Sequence, residues 1–261
     1  MNDEERYLFD LQGYLHLEGV LDAETLARMN AWIDAQADEG PEWKAQTGNA
    51  HVEHPITWGP DFLALLDHPR TLPILREIMG EYCRLDHDYA IFLQPGHGGL
   101  QLHGPKMREP YDPLHFYHYV DGKIFCGLCV ATFALTDVPE GSGGLAVIPG
   151  SHKSNFPVPE EIRLLKRPSP IVRQVPTRAG DCVIFTERLI HGTLPWRGPG
   201  IRRTLFLKYA PGSLSWDNRA YAPQAEVPAI RAIEAQLSAE QRRLLMPPSA
   251  DDHRRRPPAP R

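Results

Sequence analysis

The first 80 residues carry apolar side chains at the spacing of amphipathic helices. Leu26, Met29 and Ile33 recur every three or four positions, which places them on one helix face. Asp22 precedes this run and can cap the helix by accepting hydrogen bonds from its first N–H groups. A short strand is expected upstream, within residues 10–20. The other predicted helices are Asp61–Asp67, Thr71–Met79 and Gln224–Leu245.

From residue 82 onward the apolar positions recur with a period of two, which is typical of β-strands. Turns rich in proline and glycine separate the later strands. Helices followed by many short strands predict a mainly β fold, a sandwich or barrel with supporting N-terminal helices. In the first strand we expect one face to carry Cys83, Leu85, His87, Tyr89, Ile91 and Leu93. The further predicted strands are Ile124–Leu135, Gly144–Ile148, Ile171–Val175, Cys182–Phe185 and Arg203–Tyr209.

The composition agrees with this fold class and adds one unusual count. The 261 residues include 26 Pro and 21 Gly, so turns are frequent and long helices are disfavoured. Apolar residues make up 42% and charged residues 23%, which excludes a largely disordered chain or a coiled coil. The length fits one large domain, which we place at residues 1–245. Residues 246–261 are polar and proline-rich, and we expect them to form a disordered tail.

The charge balance narrows the classes of partner. Lys and Arg number 28 against 33 Asp and Glu, a net charge of -5, which disfavours a nucleic-acid polymer as partner. The acidic start of the sequence lacks the apolar core of a signal peptide. No apolar run approaches the roughly 18 residues of a membrane span. We therefore expect a cytoplasmic protein without a membrane partner.

The four cysteines do not form a convincing metal-binding pattern. Cys126 and Cys129 have the CxxC spacing, but no second such pair accompanies them. They fall in a predicted apolar strand, in which positions i and i+3 point to opposite faces. We expect structural roles for both and no disulfide framework.

Three residues have the side chains expected of a site that binds a metal ion and the carboxylate of a ligand. Of the 12 histidines, His103 follows a strand and a glycine-rich turn, and His191 follows the predicted strand that ends at Phe185. Two histidines on different strands of a sandwich can converge on one metal ion, and imidazole ligands with open positions suit Fe(II). A 2-oxoacid can chelate the remaining metal positions. Arg202 opens the next strand, where a guanidinium can hold a carboxylate through two hydrogen bonds.

Four segments together resemble the phytanoyl-CoA dioxygenase family. They read FDLQGYLHLEGVLD near the start, LTDVPEGSGGLAVIPGSHK in the middle, and AGDCVIFTERLIHGTLPW followed by RRTLFLKY. The resemblance covers residues 8–212. It implies a double-stranded β-helix, which is a cupin-like jelly roll, and an oxygenase that uses Fe(II), 2-oxoglutarate and O2.

The same resemblance assigns roles to single residues. His103 would be the first iron ligand and His191 the distal one. Arg202 would bind the far carboxylate of 2-oxoglutarate, with Thr193 as a hydrogen-bond partner. Arg203 is the alternative to Arg202 if the register is shifted by one residue.

The sequence departs from the family pattern at its first motif. The family has His-x-Asp or His-x-Glu, whereas this chain reads His103-Gly104-Pro105, and proline offers no ligand. Glu109 or Asp112 could supply a displaced carboxylate for a hydroxylase, or the chain could be a non-catalytic jelly-roll binding protein. The position could also be left open for chloride, as in the carboxylate-less halogenases related to this family. We favour chlorination of an unactivated C–H bond, because Gly104 leaves room for the anion.

Charged residues near the expected iron site indicate the kind of substrate. Lys106 and Arg108 flank the expected entrance and can recognise an anionic group. We therefore expect a small anionic substrate, with a phosphorylated or nucleotide-like compound as the first candidate. His118 is the alternative first ligand, and His152 in the PGSHK segment is expected to be structural.

Overall fold

The computed structural model describes residues 1–36, 49–105, 114–216 and 227–249. In these ranges the α-helices are α1 (Asp3–Gln12), α2 (Ala23–Gln36), α3 (Pro60–Leu63), α4 (Leu72–Met79), α5 (Glu160–Arg163), α6 (Pro228–Ala232) and α7 (Ala239–Leu244). The strands are β1 (Tyr14–Leu17), β2 (Asn49–Glu53), β3 (Arg84–Leu93), β4 (Leu100–His103), β5 (Tyr117–Val120), β6 (Lys123–Cys126), β7 (Cys129–Ala134), β8 (Gly144–Val147), β9 (Arg173–Gln174), β10 (Cys182–Thr186), β11 (His191–Leu194) and β12 (Arg202–Ala210). Single 3-10 turns lie at Pro55–Thr57, Ser151–Lys153 and Glu234–Gln236.

Two antiparallel sheets and a small hairpin organise the strands. The larger sheet has the order β1-β10-β7-β12-β3-β2, the smaller sheet has the order β4-β11-β8-β9, and β5 pairs with β6 in the hairpin. The chain changes sheet between β3 and β4, between β7 and β8, and at each step from β9 to β12. Residues far apart in the sequence therefore become neighbours. This antiparallel, sheet-rich architecture with supporting helices is consistent with a cupin-like fold.

Apolar side chains fill the layers on both sides of each sheet. The helix-side core joins α1 to α4 to the outer face of the larger sheet, through residues such as Phe9, Met29 and Leu75. The outer face of the smaller sheet packs against Ile162 of α5. The cluster between the two sheets contains Val130, Val147, Val175, Val183, Phe185, Leu189 and Phe206.

Within the described ranges, every helix is too short or too polar to span a membrane.

Alternation along β12 shows which of its side chains face the space between the sheets. Phe206 belongs to the cluster between the sheets, whereas Leu205 belongs to the helix-side core. Successive side chains of a strand point to opposite faces. The inner face of β12 therefore carries Arg202, Thr204, Phe206 and Lys208.

A β-bulge shifts the phase of β3. The partners on β12 step from Lys208 to Tyr209 while β3 steps from His87 to Leu85, which leaves Asp86 as an extra residue in the ladder. Odd-numbered residues before the bulge face the helix-side core, whereas those after it face the space between the sheets. The single face predicted for this strand is wrong, because a count with period two does not register an inserted residue.

The chain begins with a helix that the apolar pattern did not indicate. α1 starts at a capping box, in which Asn2 Oδ1 accepts from the Glu5 backbone N–H at 2.8 Å and the Asn2 N–H donates to the Glu5 carboxylate at 2.7 Å. Gly13 ends α1 in the left-handed conformation, and the expected upstream strand is confined to β1. Asp22 caps α2 as predicted, because its Oδ1 accepts from the Thr25 N–H at 2.7 Å.

The predicted C-terminal helix Gln224–Leu245 is broken within the residues that the structure describes. α6 is followed by a 3-10 turn, and α7 begins anew at a Ser238 capping box. The carbonyl of Met246 accepts a hydrogen bond from Arg84 at 3.0 Å, so the first residue of the predicted tail contacts the larger sheet. Residues 250–261 of that tail lie outside the described ranges.

The four cysteines are buried free thiols, and the strand expected around two of them is interrupted. The predicted strand Ile124–Leu135 consists of β6 and β7. They are separated at Gly127, where an added Cβ would lie 1.7 Å from the Leu114 carbonyl oxygen, so no larger residue fits. Burial, together with a hydrogen bond to Cys126, raises the pKa of the Cys129 thiol. The two thiols are therefore neighbours and do not lie on opposite faces as predicted.

Candidate active site

His103 and His191 face each other across two neighbouring strands. His103 is the last residue of β4 and His191 is the first of β11, and the two are direct cross-strand partners. Their ring centroids are 4.2 Å apart and the ring planes are tilted by 56°. Antiparallel pairing thus brings together the two histidines that the sequence singles out.

Backbone carbonyls fix the orientation of both imidazoles. Nδ1 of His191 donates to the carbonyl of Leu189 at 2.7 Å, and Nδ1 of His103 donates to the carbonyl of Gln101 at 3.0 Å. Nδ1 is therefore the protonated atom in the neutral form of either ring, which leaves Nε2 free, and a neutral imidazole oriented in this way is the form that binds metal ions. Burial lowers the pKa of His191 to about 4, so this ring is neutral at neutral pH.

The PGSHK segment holds strand β11 in place. Ser151 Oγ accepts a hydrogen bond from the Ile190 backbone N–H at 2.8 Å, and the Ile148 N–H donates to the Ile190 carbonyl, also at 2.8 Å. Both contacts fix the residue that precedes His191. The 3-10 turn Ser151–Lys153 therefore positions one of the two histidines, which is a physical reason for this motif.

His152 of the same turn is a buried imidazole. Its Nε2 donates to the Asp10 carbonyl at 3.0 Å, and its ring meets the ring of Tyr117 edge-on at 4.6 Å. Burial lowers the pKa of His152 from 6.5 to about 4. The unfolded chain therefore takes up a proton near pH 6.5, whereas the folded protein does so only near pH 4. Acid within this window favours unfolding.

We expect the substitution His152→Leu to reduce the decrease in the free energy of unfolding that occurs as the pH falls from 6.5 to 4. The wild-type protein should lose on the order of 3 kcal/mol more than the variant across this window. The measurement is the free energy of urea unfolding of the metal-free protein at several pH values. His191 titrates in both proteins, so its contribution cancels in the difference. Equal slopes for wild type and His152→Leu would contradict this account.

Arg202 is a buried cation without a hydrogen-bond partner among the described residues. Its side chain is 4% exposed, and neither Nε nor Nη1 has an acceptor. Burial lowers the pKa of its guanidinium to about 10, which still leaves it charged at neutral pH. Because a buried charge without a partner costs several kcal/mol, this position favours an anionic ligand.

The neighbours of Arg202 leave room for such an anion. A Cβ at Gly144 of β8 would lie 3.3 Å from Arg202 Nε, so glycine keeps this side of the guanidinium open. Thr204 lies two residues further along the same face of β12, and its buried hydroxyl has no hydrogen-bond partner in the described part of the chain. A guanidinium and a hydroxyl without partners are groups that bind a carboxylate.

Arg203, the rival of Arg202, faces the other way. Its guanidinium donates to Asn30 Oδ1 at 2.8 Å and pairs with Asp34 of α2. Because side chains alternate along β12, Arg203 faces the helices, where it already has its partners, and Arg202 faces the space between the sheets. The geometry favours Arg202 as the residue that receives an external anion.

A buried carboxylate that the sequence analysis missed stands beside the histidine pair. Glu187 follows β10 and is 5% exposed. Its Oε2 lies 3.8 Å from Nε2 of His191 and 4.0 Å from Nε2 of His115, and its Oε1 lies 2.8 Å from Nζ of Lys208. Burial acts to raise the pKa of this carboxyl, but Lys208 and His191 hold it well below its usual range. A lone acid four residues before the histidine, within the mostly apolar segment CVIFTERLIH, was the signal available in the sequence.

Aromatic rings line the inner face beside these groups. Tyr89 stacks on Phe206 with centroids 4.9 Å apart, and His87 stacks on Tyr89 at 5.9 Å. Trp216 follows at 5.7 Å from His87 and is 48% exposed. This row runs from the space between the sheets to the surface and offers ring faces to an organic ligand.

The remaining predicted site residues divide between the described and the undescribed parts of the chain. Thr193 lies on β11 two residues after His191 and opposite Leu145, which packs on the cluster between the sheets. Its hydrogen bond to a cosubstrate stays a prediction. His118 is an exposed residue of the β5–β6 hairpin and stacks on Phe116 at 5.3 Å. The predicted residues outside the described ranges are Lys106, Arg108, Glu109 and Asp112.

The residues described by the structure supply a pair of imidazoles and not a closed ligand set. No three His, Cys, Asp or Glu side chains within them form a complete metal-binding group. His103 and His191 leave further coordination positions open, as a metal that also binds a chelating cosubstrate requires. A buried guanidinium without a partner, such as that of Arg202, is a group that can neutralise an anionic cosubstrate.

A histidine pair and a buried arginine between antiparallel sheets are typical of oxygenases that depend on Fe(II) and 2-oxoglutarate. The family model for phytanoyl-CoA dioxygenase (PhyH) matches residues 9–204. This span includes both histidines and Arg202. The chain belongs to the phytanoyl-CoA dioxygenase family, a family of Fe(II)/2-oxoglutarate-dependent oxygenases, as its sequence motifs indicate.

Several solved structures share this fold. HygX from Streptomyces hygroscopicus, with nickel and 2-oxoglutarate bound, is 24% identical over 83% of this chain and 90% of that chain, with a TM-score of 0.74. The non-heme alpha-ketoglutarate-dependent carbocyclase SnoK from nogalamycin biosynthesis is 19% identical over 82% of this chain and 85% of that chain, with a TM-score of 0.61. AviO1 from Streptomyces viridochromogenes Tue57 is 18% identical over 85% of this chain and 97% of that chain, with a TM-score of 0.58. At these identities the likeness concerns the fold.

Proposed function

We propose that this protein is an oxidative enzyme that uses Fe(II), 2-oxoglutarate and O2 to act on an unactivated C–H bond of a small molecule. One observation carries the proposal. Arg202 is a buried guanidinium without a partner among the described residues, and it faces the same space between the sheets as the cross-strand pair His103 and His191. Metal ligands and an anion-binding cation thus occur together.

The strand order supports a double-stranded β-helix for this enzyme, with residues 1–245 as one catalytic domain. β3, β4 and β7 to β12 give eight strands that are divided equally between the two sheets, and the first strand, β3, pairs with the last, β12. In such a jelly roll the space between the sheets can enclose a ligand. The histidine pair and Arg202 lie in that space.

The residues present fit the metal and the cosubstrate. His103 and His191 would hold the metal through Nε2, and Arg202 would bind the far carboxylate of 2-oxoglutarate with Thr204 and Thr193 beside it. When bound, this pair of cofactors supplies the oxidising power for attack on a C–H bond. The protein orients the imidazoles through backbone carbonyls, and Arg202 would neutralise the carboxylate. HygX structures that hold nickel and 2-oxoglutarate support the same cofactor pair here.

The substrate that we propose is a small anionic organic molecule, with a phosphorylated compound as the first candidate. The aromatic row that ends at Trp216 offers it a surface for stacking. Lys106 and Arg108, which the sequence places next to the expected entrance, would receive its charge. The fold relative HygX has hygromycin B bound in one structure, which supports a small-molecule substrate.

Two reaction outcomes are open to such a site. Chlorination is favoured by Pro105, which offers no carboxylate near His103, so that a chloride ion has a place. Hydroxylation is favoured by Glu187, whose carboxylate lies 3.8 Å from His191 Nε2. A buried carboxylate repels chloride from the same position. The geometry therefore favours oxygen transfer over the chlorination that the motif alone predicts.

The test of the proposed function is turnover of 2-oxoglutarate. Protein loaded with Fe(II) should consume O2 and convert 2-oxoglutarate to succinate slowly, and the correct member of a panel of small phosphorylated and carboxylated compounds should accelerate both. Calorimetry should show 2-oxoglutarate binding to the nickel-loaded protein. Absence of both binding and succinate would favour the non-catalytic binding protein.

We expect the product of an accelerating compound to gain oxygen and no chlorine. The reason is that Glu187 occupies the anionic position beside His191. Mass spectrometry of the product, with labelled O2 and with chloride raised to molar concentration, checks this result. Chlorinated product that increases with chloride would establish the halogenase interpretation instead.

A further inference from the structure

Glu187 lies in the tight connection that carries the chain from β10 to β11. Its N–H donates to the Leu128 carbonyl at 2.8 Å, and the Leu189 N–H donates to the Thr186 carbonyl at 2.8 Å. These bonds fix the turn at its start. The turn leaves Glu187 and His191 at its two ends, both directed into the space between the sheets.

The Glu187 oxygens have different surroundings. Oε1 is paired with the Lys208 ammonium at 2.8 Å. Oε2 faces Nε2 of His191 and Nε2 of His115 at 3.8 and 4.0 Å, which is too long for hydrogen bonds. Nδ1 of His191 carries the ring proton, because it donates to the Leu189 carbonyl. Oε2 and Nε2 of His191 are therefore two acceptor atoms 3.8 Å apart with no proton on either, and a cation between them would remove their repulsion.

The separation of these two atoms agrees with a shared metal ion. Two ligand atoms bound at roughly 2.1 Å lie roughly 3.0–3.4 Å apart at right or tetrahedral angles, and at most roughly 4.2 Å apart. The 3.8 Å between Glu187 Oε2 and His191 Nε2 is below the upper limit of roughly 4.2 Å and exceeds the tetrahedral separation by roughly 0.4 Å. A small approach of the glutamate side chain closes the set, which explains why the described residues do not form a ready-made group of three ligands.

We propose that Glu187 supplies the carboxylate ligand of the metal centre, in place of the one that is missing from His103-Gly104-Pro105. The inference rests on the proposed function, because it assigns a third ligand to the same metal. Glu187 binds through Oε2 and keeps Oε1 on Lys208, and a charged partner of this kind orients a ligating carboxylate. Neither a displaced loop carboxylate nor a chloride ion is then needed to complete the ligand set.

The experiment must separate a ligand from a counterion. Removing Glu187 alone leaves Lys208 buried and unpaired, which destabilises the fold for a reason unrelated to metal. The informative pair is therefore Lys208→Met and the double variant Glu187→Gln/Lys208→Met, with nickel affinity measured by calorimetry without 2-oxoglutarate. Lys208→Met keeps the ligand but loses the cation that orients it, so it should bind nickel at most about 10-fold more weakly than wild type. The double variant should bind nickel about 100-fold more weakly than Lys208→Met does.

Two further measurements make the result specific. Formate should restore nickel binding to the double variant Glu187→Ala/Lys208→Met, in which no unpaired ammonium can attract it, whereas formamide, which has a similar shape and no charge, should not. Asp181→Asn is the matched control, because Asp181 is also a buried carboxylate but pairs with His16 at 2.8 Å on another part of the larger sheet. Its nickel affinity should equal that of wild type.

The outcomes distinguish this inference from the proposed function. A folded double variant that binds nickel as wild type does would overturn the ligand role of Glu187, while 2-oxoglutarate binding by the wild-type protein would leave the proposed function standing. Wild-type protein that binds neither nickel nor 2-oxoglutarate would overturn both. Loss of nickel affinity in the double variant Glu187→Gln/Lys208→Met, with rescue by formate in Glu187→Ala/Lys208→Met, establishes the ligand.

Discussion

Replacing His191 by alanine is expected to weaken metal binding by more than about 100-fold and to abolish 2-oxoglutarate turnover. The imidazole is neutral, and Nδ1 is already occupied by a carbonyl, so Nε2 is left for the metal. The measurements are nickel affinity by calorimetry and succinate formation with Fe(II). The fold should survive, because the substitution removes one hydrogen bond from the first residue of a strand that remains paired on both sides.

His118→Ala is the matched control for this experiment. It removes the same type of side chain from an exposed position on the peripheral hairpin. It should change neither nickel affinity nor turnover. If His118→Ala also lost the metal, His118 would be the first ligand, as in the alternative of the sequence analysis, and would take the place of His103.

Replacing Arg202 by leucine is expected to act on stability and on cosubstrate binding in opposite directions. In the ligand-free protein the variant should be more stable by about 1–3 kcal/mol, because it removes a buried charge that no described residue neutralises. Affinity for 2-oxoglutarate should fall by about 100-fold, because a carboxylate held by two charge-assisted hydrogen bonds loses its partner. Urea unfolding and calorimetry on the nickel-loaded protein measure the two effects.

The adjacent arginine provides the control for Arg202. Arg203→Leu removes a cation from the same strand, but this cation is paired with Asn30 and Asp34 on the helix side. The variant should lose a little stability and keep its affinity for 2-oxoglutarate. Loss of 2-oxoglutarate binding in Arg203→Leu, with Arg202→Leu unaffected, would show that the register of the anion site is shifted by one residue.

The histidine pair and the arginine could be singled out from the sequence as candidates because their chemistry is local. His103, His191 and Arg202 each stand where a strand ends or begins. Side chains of types that rarely occur in an apolar core are conspicuous at such positions. The family motifs added the roles. Only the pairing of β4 with β11 brings the two rings within 4.2 Å, and a period-two pattern contains no information on which strands pair.

Glu187 could not be assigned from the sequence for a related reason. Its partners, Lys208 and His115, lie on other segments, and only the assembled sheets bring them within 4.0 Å. The family motif has its acidic residue two positions after the first histidine, and this chain has Pro105 at that position. The Glu187 carboxylate lies near the second histidine of the pair instead, because Glu187 precedes His191 by four residues in the sequence.

The extra residue at Asp86 lets one strand satisfy two independent demands. Before the bulge Leu85 packs into the helix-side core, whereas after it His87 and Tyr89 belong to the open row of rings. Ala90 and Phe92 after the bulge still pack into the helix-side core. Only the odd-numbered side chains after the bulge can therefore change with little effect on helix packing, and His87 and Tyr89 are favourable positions at which to alter ligand preference. Changes of length are a different matter. Deleting Asp86 would turn every downstream side chain to the opposite face, so insertions and deletions here should be far rarer among functional variants than substitutions.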